Sequence, residues 1–200
     1  MIKRALGLST VLILTACGSE DGSPTVRLDV DAAPAVTTPV EVAPEIIGLT
    51  PEVDAKIAAI RDVLERDSLS RLVRLANAET NFVSNFAGEG HRVHWDLLRR
   101  TGFDPLNKLG GLLDGPYATR QVGDQTWYIW PDFAALNAED LLPEKLGFTD
   151  RARLQDLVGD IGLERIRDGQ GYPGVRTAIA QDGDWLYFVH ETEHDTEESE

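Results

Sequence analysis

Apolar side chains recur at helical spacing over the first half of a segment that opens at Thr50. Thr50-Pro51-Glu52 combines an N-cap hydroxyl, a proline suited to the first helical position and an acid at the positive end of the dipole, so it predicts a helix start. Val53, Ile57, Ile60 and Leu64 then fall on one face. A second helix is expected after Asp67-Ser68, with Leu69, Leu72, Val73 and Ala76 as its stripe. Residues 89–101 form a third candidate, ending at Gly102 with Trp95 and Leu98 on one side. Asp104-Pro105 restarts the pattern through Leu106, Leu109, Leu112 and Leu113, and Gly115-Pro116 closes it.

After Pro116 the period changes to two. Tyr117 to Val122, a turn at Gly123-Asp124 and Thr126 to Trp130 predict a β-hairpin stopped by Pro131. Thr149-Asp150 is expected to cap a helix carrying Leu154, Leu157 and Val158, followed by a short one around Leu163 and Ile166. Val175 to Ala180, the turn Asp182-Gly183-Asp184 and Trp185 to Val189 predict a second hairpin. Helices interleaved with hairpins imply an α+β domain: helices packed on a small antiparallel sheet built from two β-hairpins. A parallel dinucleotide-binding sheet is disfavoured, because no strand–helix unit carries a glycine-rich phosphate turn. No internal repeat is present.

The first fifty residues follow neither period. Lys3 and Arg4 precede an uncharged apolar run from Ala5 to Ala16, the layout of a signal peptide over residues 1–16. As a helix this run reaches ~18 Å, short of a ~30 Å hydrocarbon core. Leu14-Thr15-Ala16-Cys17 matches the bacterial lipobox, in which small residues precede a cysteine that takes a diacylglyceryl group before cleavage. Lipidation is therefore expected at Cys17, with the membrane as a partner through acyl chains, two or more of which anchor a protein stably. Gly18 rather than Asp follows, and the resemblance to the sorting rule of Gram-negative lipoproteins implies the outer membrane, facing the periplasm. Cys17 is the sole cysteine, so disulfides are excluded and the domain must rest on its core.

Residues 17–49 carry Pro24, Pro34, Pro39 and Pro44 but no aromatic side chain, and are expected to be a flexible linker. Its r.m.s. reach would be about 31 Å. The globular domain is expected over residues 50–190, and residues 191–200, with six acids and no Lys or Arg, as an acidic disordered tail. The chain carries a net charge of −15, but residues 50–190 hold 16 basic against 22 acidic side chains, so much of the acidity lies at the ends. Clustered Lys and Arg are missing, which argues against a nucleic-acid partner.

His190-Glu191-Thr192-Glu193-His194 satisfies the H-E-x-x-H pattern of zinc proteases. That chemistry needs a helix to set both imidazoles on one metal, whereas a strand leads into this match, so chance occurrence in an acidic tail is the better account. His91 and His94, three apart, share a helical face with Trp95, and Glu79 and Glu89 could add carboxylates to a metal or acid–base site. The simpler reading is a hydrogen-bonded packing feature. Gly169-Gln170-Gly171-Tyr172-Pro173-Gly174 leads into a strand, lacks the P-loop lysine and is expected to be a turn. Trp127-Tyr128-Ile129-Trp130 places aromatics on both faces of one strand, and Trp185 with Tyr187 are expected together on a face of another. These aromatics serve either the core or a cleft that stacks on a sugar or peptide. No nucleophile elbow or thiol nucleophile is present, and no cofactor is expected.

Ser84-Asn85-Phe86 through Trp95-Asp96-Leu97-Leu98-Arg99-Arg100-Thr101-Gly102, with Tyr128-Ile129-Trp130-Pro131 and Asp182-Gly183-Asp184-Trp185-Leu186-Tyr187-Phe188-Val189, resembles a family of small proteobacterial lipoproteins without an assigned activity. The resemblance spans most of residues 70–190 and implies no catalytic residue. Two functions remain: a non-enzymatic envelope lipoprotein binding a cell-wall or protein partner, or a periplasmic metal-dependent or acid–base hydrolase using His91 and His94. A hydrolase site should gather His91, His94 and Trp130 or Trp185 in one concavity; a binding module should show an exposed apolar patch.

Overall fold

A computed structural model describes residues 48–190, which belong to a single unit. Four helices come first: α1 (Pro51–Glu65), α2 (Leu69–Ala78), α3 (His91–Arg100) and α4 (Pro105–Asp114). Both proline starts behave as expected: the Thr50 hydroxyl accepts from the Val53 N–H and the Asp104 carboxylate from the Leu106 N–H. The α1 face includes Val63 in addition to Val53 and Ile60, with Ile57 and Leu64 only partly covered.

The two hairpins are β1 (Ala118–Val122) with β2 (Gln125–Trp130), and β3 (Arg176–Ala180) with β4 (Trp185–Val189). They join into one antiparallel sheet in the order β1-β2-β3-β4, because β2 pairs with β3 from Trp127↔Ala180 to Trp130↔Thr177. A parallel bridge from Val83 to Tyr187 lengthens the sheet past β4: the Val83 N–H donates to Leu186 O, and the Phe188 N–H to Val83 O, both at 3.0 Å.

The connection from β2 to β3 holds a 3-10 turn, Asp132–Ala135, and α5 (Phe148–Arg167). Helix α5 is capped by Gly147, two residues before the expected Thr149. Gly159, at φ 67°, breaks its regular course and separates the two predicted segments. Leu157 consequently leaves the apolar stripe and is exposed, while Leu154, Leu163 and Ile166 join Phe133, Leu141 and Tyr172 in a small core of their own.

The main core lies between α1–α4 and one face of the sheet. Tyr128, Trp130, Ile179, Trp185 and Phe188 supply the sheet side, and Ile60, Leu72, Trp95 and Leu109 the helical side. Burial begins before residue 50: Leu49 packs against this core and Gly48 O accepts from the Tyr128 hydroxyl at 3.0 Å. Among the described residues no helix is long and apolar enough to cross a membrane. Cys17, the signal segment, most of the linker and the acidic tail lie outside them.

Candidate functional site

The polar residues singled out from the sequence do not converge. His91 opens α3, and its Nδ1 lies 2.7 Å from the Ser84 hydroxyl. Its ring meets Phe82 edge-on at 5.1 Å and lies 5.9 Å from Trp95. Burial penalises the imidazolium and holds the His91 pKa below its ordinary value. Ser84 is itself buried, receives the Asn85 amide at 3.1 Å and offers no surface to a substrate. Asn85 also exchanges hydrogen bonds with the Glu89 backbone in both directions, so this cluster fixes the loop entering α3.

His94 Nδ1 stands 4.0 Å from Glu89 Oε2, the one His–Glu pair of the expected set that comes together. Glu79 is engaged elsewhere: it pairs with Lys56, and its second oxygen accepts from the Trp185 backbone N–H at 3.3 Å. Trp130 and Trp185 are sealed in the main core and are not among the described residues that line the cleft below. Among the described residues, no group of three or more His, Cys, Asp or Glu is placed to hold a metal ion.

A concave surface lies on the opposite face of the sheet. Strand alternation puts Trp127 and Ile129 there, because Tyr128 and Trp130 face the helices. By register one rung reads Ala118, Ile129, Ala178, Tyr187 and the next Arg120, Trp127, Ala180. The inner positions on β3 are alanines, so bulky walls rise on either side of a shallow floor. The 3-10 turn covers one end, where Ala135 meets Ala118, Ile129 and Ala178.

Tyr187 reaches this face through an irregularity in β4. Ala178 pairs with Tyr187 but Ile179 pairs with Trp185, leaving Leu186 as an extra residue. Trp185 therefore faces the helices and Tyr187 the open side, contrary to the expectation that they share a face. Trp127 and Tyr187 stand edge to face with ring centroids 6.4 Å apart.

The resulting cleft has a volume of about 520 Å³ and is open along one side. Trp127 and Ile129 form one wall, Tyr187 and Val189 another, and Val83 with the exposed Phe86 extend the second. Its charged lining is Arg120 and Arg176; among the described residues no carboxylate lines it. Arg120 donates to the Asn137 side-chain oxygen at 2.6 Å, and Arg176 to the carbonyls of Tyr172 and Gly174 at 3.1 and 3.4 Å. Burial pushes the Tyr187 phenol up to about 12, and the two guanidiniums, acting the other way, hold it back. The Trp127 indole N–H is buried without a hydrogen-bond acceptor among the described residues.

Alternation in β2 made Trp127 legible from sequence, but nothing local marks Arg120, Arg176 or the irregularity that turns Tyr187. No protein-family model, curated protein or solved structure matches this chain.

Proposed function

We propose that this chain is an exported envelope lipoprotein, cleaved before Cys17 and held by acyl chains on that residue, with the domain acting as a binding module. The outer membrane, facing the periplasm, is the location that Gly18 favours. The observation that carries the binding reading is the open-face cleft: a sheet face that leaves Trp127, Tyr187 and Phe86 partly or largely exposed is a surface that the core built by the described residues does not use. The histidines offer less support for a hydrolase, since His91 is committed to Ser84 and Glu79 to Lys56.

Two experiments test the reading. Radiolabelled palmitate should enter the wild-type chain and fail to enter Cys17→Ser; equal incorporation overturns the anchor. For the module, residues 17–200 carrying Cys17→Ser are titrated with a muropeptide, an acyl carboxylate and an envelope-protein peptide while amide shifts are followed. Shifts centred on Arg120, Trp127 and Tyr187 are expected from at least one ligand. Shifts centred on His91 and His94 transfer the function to that cluster, and no shift from any ligand overturns the module reading.

A further inference from the structure

The chemistry of the cleft narrows what it can bind, granted the reading above that it is the binding site. Its charged lining is made of donors: the guanidiniums of Arg120 and Arg176. Guanidiniums are suited to an anionic head group, which they meet with several N–H donors in fixed geometry. They repel a cation.

The rest of the lining is hydrocarbon. Val83, Val122, Ile129, Ala134 and Val189 give aliphatic walls along a groove that stays open to one side. A sugar is poorly served, because its hydroxyl groups need acceptors as well as an aromatic platform, and no Asp, Glu, Asn or Gln is among the described lining residues. The acidic tail 191–200 matches the charge but brings no large apolar side chain to fill the walls.

We infer that the cleft takes a single-chain amphiphile: an acyl chain lying against Ile129, Val189, Trp127 and Tyr187, with an anionic head at Arg120, while Arg176, two rungs away on this face and turned to the Tyr172 and Gly174 carbonyls, adds to the positive field. Carboxylate and phosphate monoester heads share this chemistry. In an acidic domain, arginines held beside an apolar groove select the sign of the ligand.

The test uses residues 17–200 carrying Cys17→Ser, which removes the protein's own acyl chains and the need for detergent. Dodecanoate, dodecyl phosphate, dodecanol and dodecyltrimethylammonium are each titrated below their micelle thresholds by calorimetry. One-to-one binding of an anionic probe is expected, with the cationic probe weaker by about tenfold or more. The tighter of the two anionic probes names the head group. Arg120→Gln with Arg176→Gln should lose about tenfold for the anionic probe while leaving dodecanol unchanged, which separates loss of the head-group contact from loss of the fold. Arg120→Gln alone serves if the double variant unfolds.

Equal affinity for anionic and cationic probes, or an arginine variant that binds dodecanoate as well as the parent, overturns the inference. So does binding that appears only after residues 191–200 are deleted, which assigns the cleft to the tail. Self-association abolished by Trp127→Ala, without amphiphile binding, assigns it to a second copy. If no amphiphile binds but the muropeptide or peptide still shifts Arg120, Trp127 and Tyr187, the amphiphile is wrong and the binding module stands.

Discussion

The Trp185 indole N–H donates to the Thr177 hydroxyl at 2.8 Å, and that hydroxyl donates in turn to the Tyr187 carbonyl at 2.7 Å. Thr177 is fully buried, and its one oxygen holds both residues that flank the extra residue in β4. This contact keeps Trp185 on the helical side while Tyr187 turns toward the cleft.

Thr177→Val is therefore expected to strand a buried donor and a buried acceptor at once, at about 2–4 kcal/mol. Thr177→Ser keeps both hydrogen bonds and should lose only ~1 kcal/mol for the missing methyl. Urea melts of the three proteins decide this; a valine variant as stable as the serine variant removes the hydroxyl from the account.

The turn between β3 and β4 docks on the start of α1. The Thr50 hydroxyl donates to Gln181 O at 2.8 Å, and a Cβ at Gly183 would lie 2.9 Å from Glu52 O. Gly183 also has φ +89°, so Gly183→Ala combines backbone strain with a clash and should cost about 2–3 kcal/mol. Gly123, at φ +60° with nothing within 4 Å of its Cβ site, isolates the strain alone. Alanine at Gly123 should cost less; equal losses in thermal melts would show that the docking carries no energy.

Burial lowers the His91 pKa from its ordinary 6.5, so the fold prefers the neutral ring and the unfolded chain takes up the proton first as pH falls. Stability contributed by this site is present above about pH 6.5 and is lost as pH drops through the folded pKa. His91→Gln should flatten that part of the profile. Urea midpoints measured from about pH 7.5 to about pH 5 check it, and parallel profiles for both proteins would contradict it.

His190 stacks on Phe103 with centroids 4.6 Å apart and planes 8° from parallel. Truncation after Val189 should therefore cost about 0.5–1.5 kcal/mol more than truncation after His190. The acidic residues beyond His190 are expected to contribute less than ~0.5 kcal/mol, the usual range away from buried features. Denaturant melts with zinc and with chelator add a second readout: stability that depends on both zinc and residues 191–200 would restore the H-E-x-x-H match as a metal site.

The elements legible in the sequence are those set by local energetics. Thr50 and Asp104 cap their helices, Gly123 and Gly183 allow their turns, and the change of period after Pro116 marks the hairpins, because each depends on a few neighbouring residues. Packing between distant segments decided the rest. Alternation puts Trp127 opposite Tyr128, but only the helices settling on Tyr128, Trp130 and Phe188 determine which face becomes core and which stays open. The separation of Trp185 from Tyr187 likewise arises from pairing with β3, which shifts register by one residue at Ala178/Ile179. The sequence alone could nominate His91 and Glu79 as chemical groups, since spacing and residue type are local. Their partners, Ser84 and Lys56, and the gathering of Arg120, Arg176, Trp127 and Tyr187 around one cleft, follow from side chains brought together across strands and helices, where no short-range pattern records the contact.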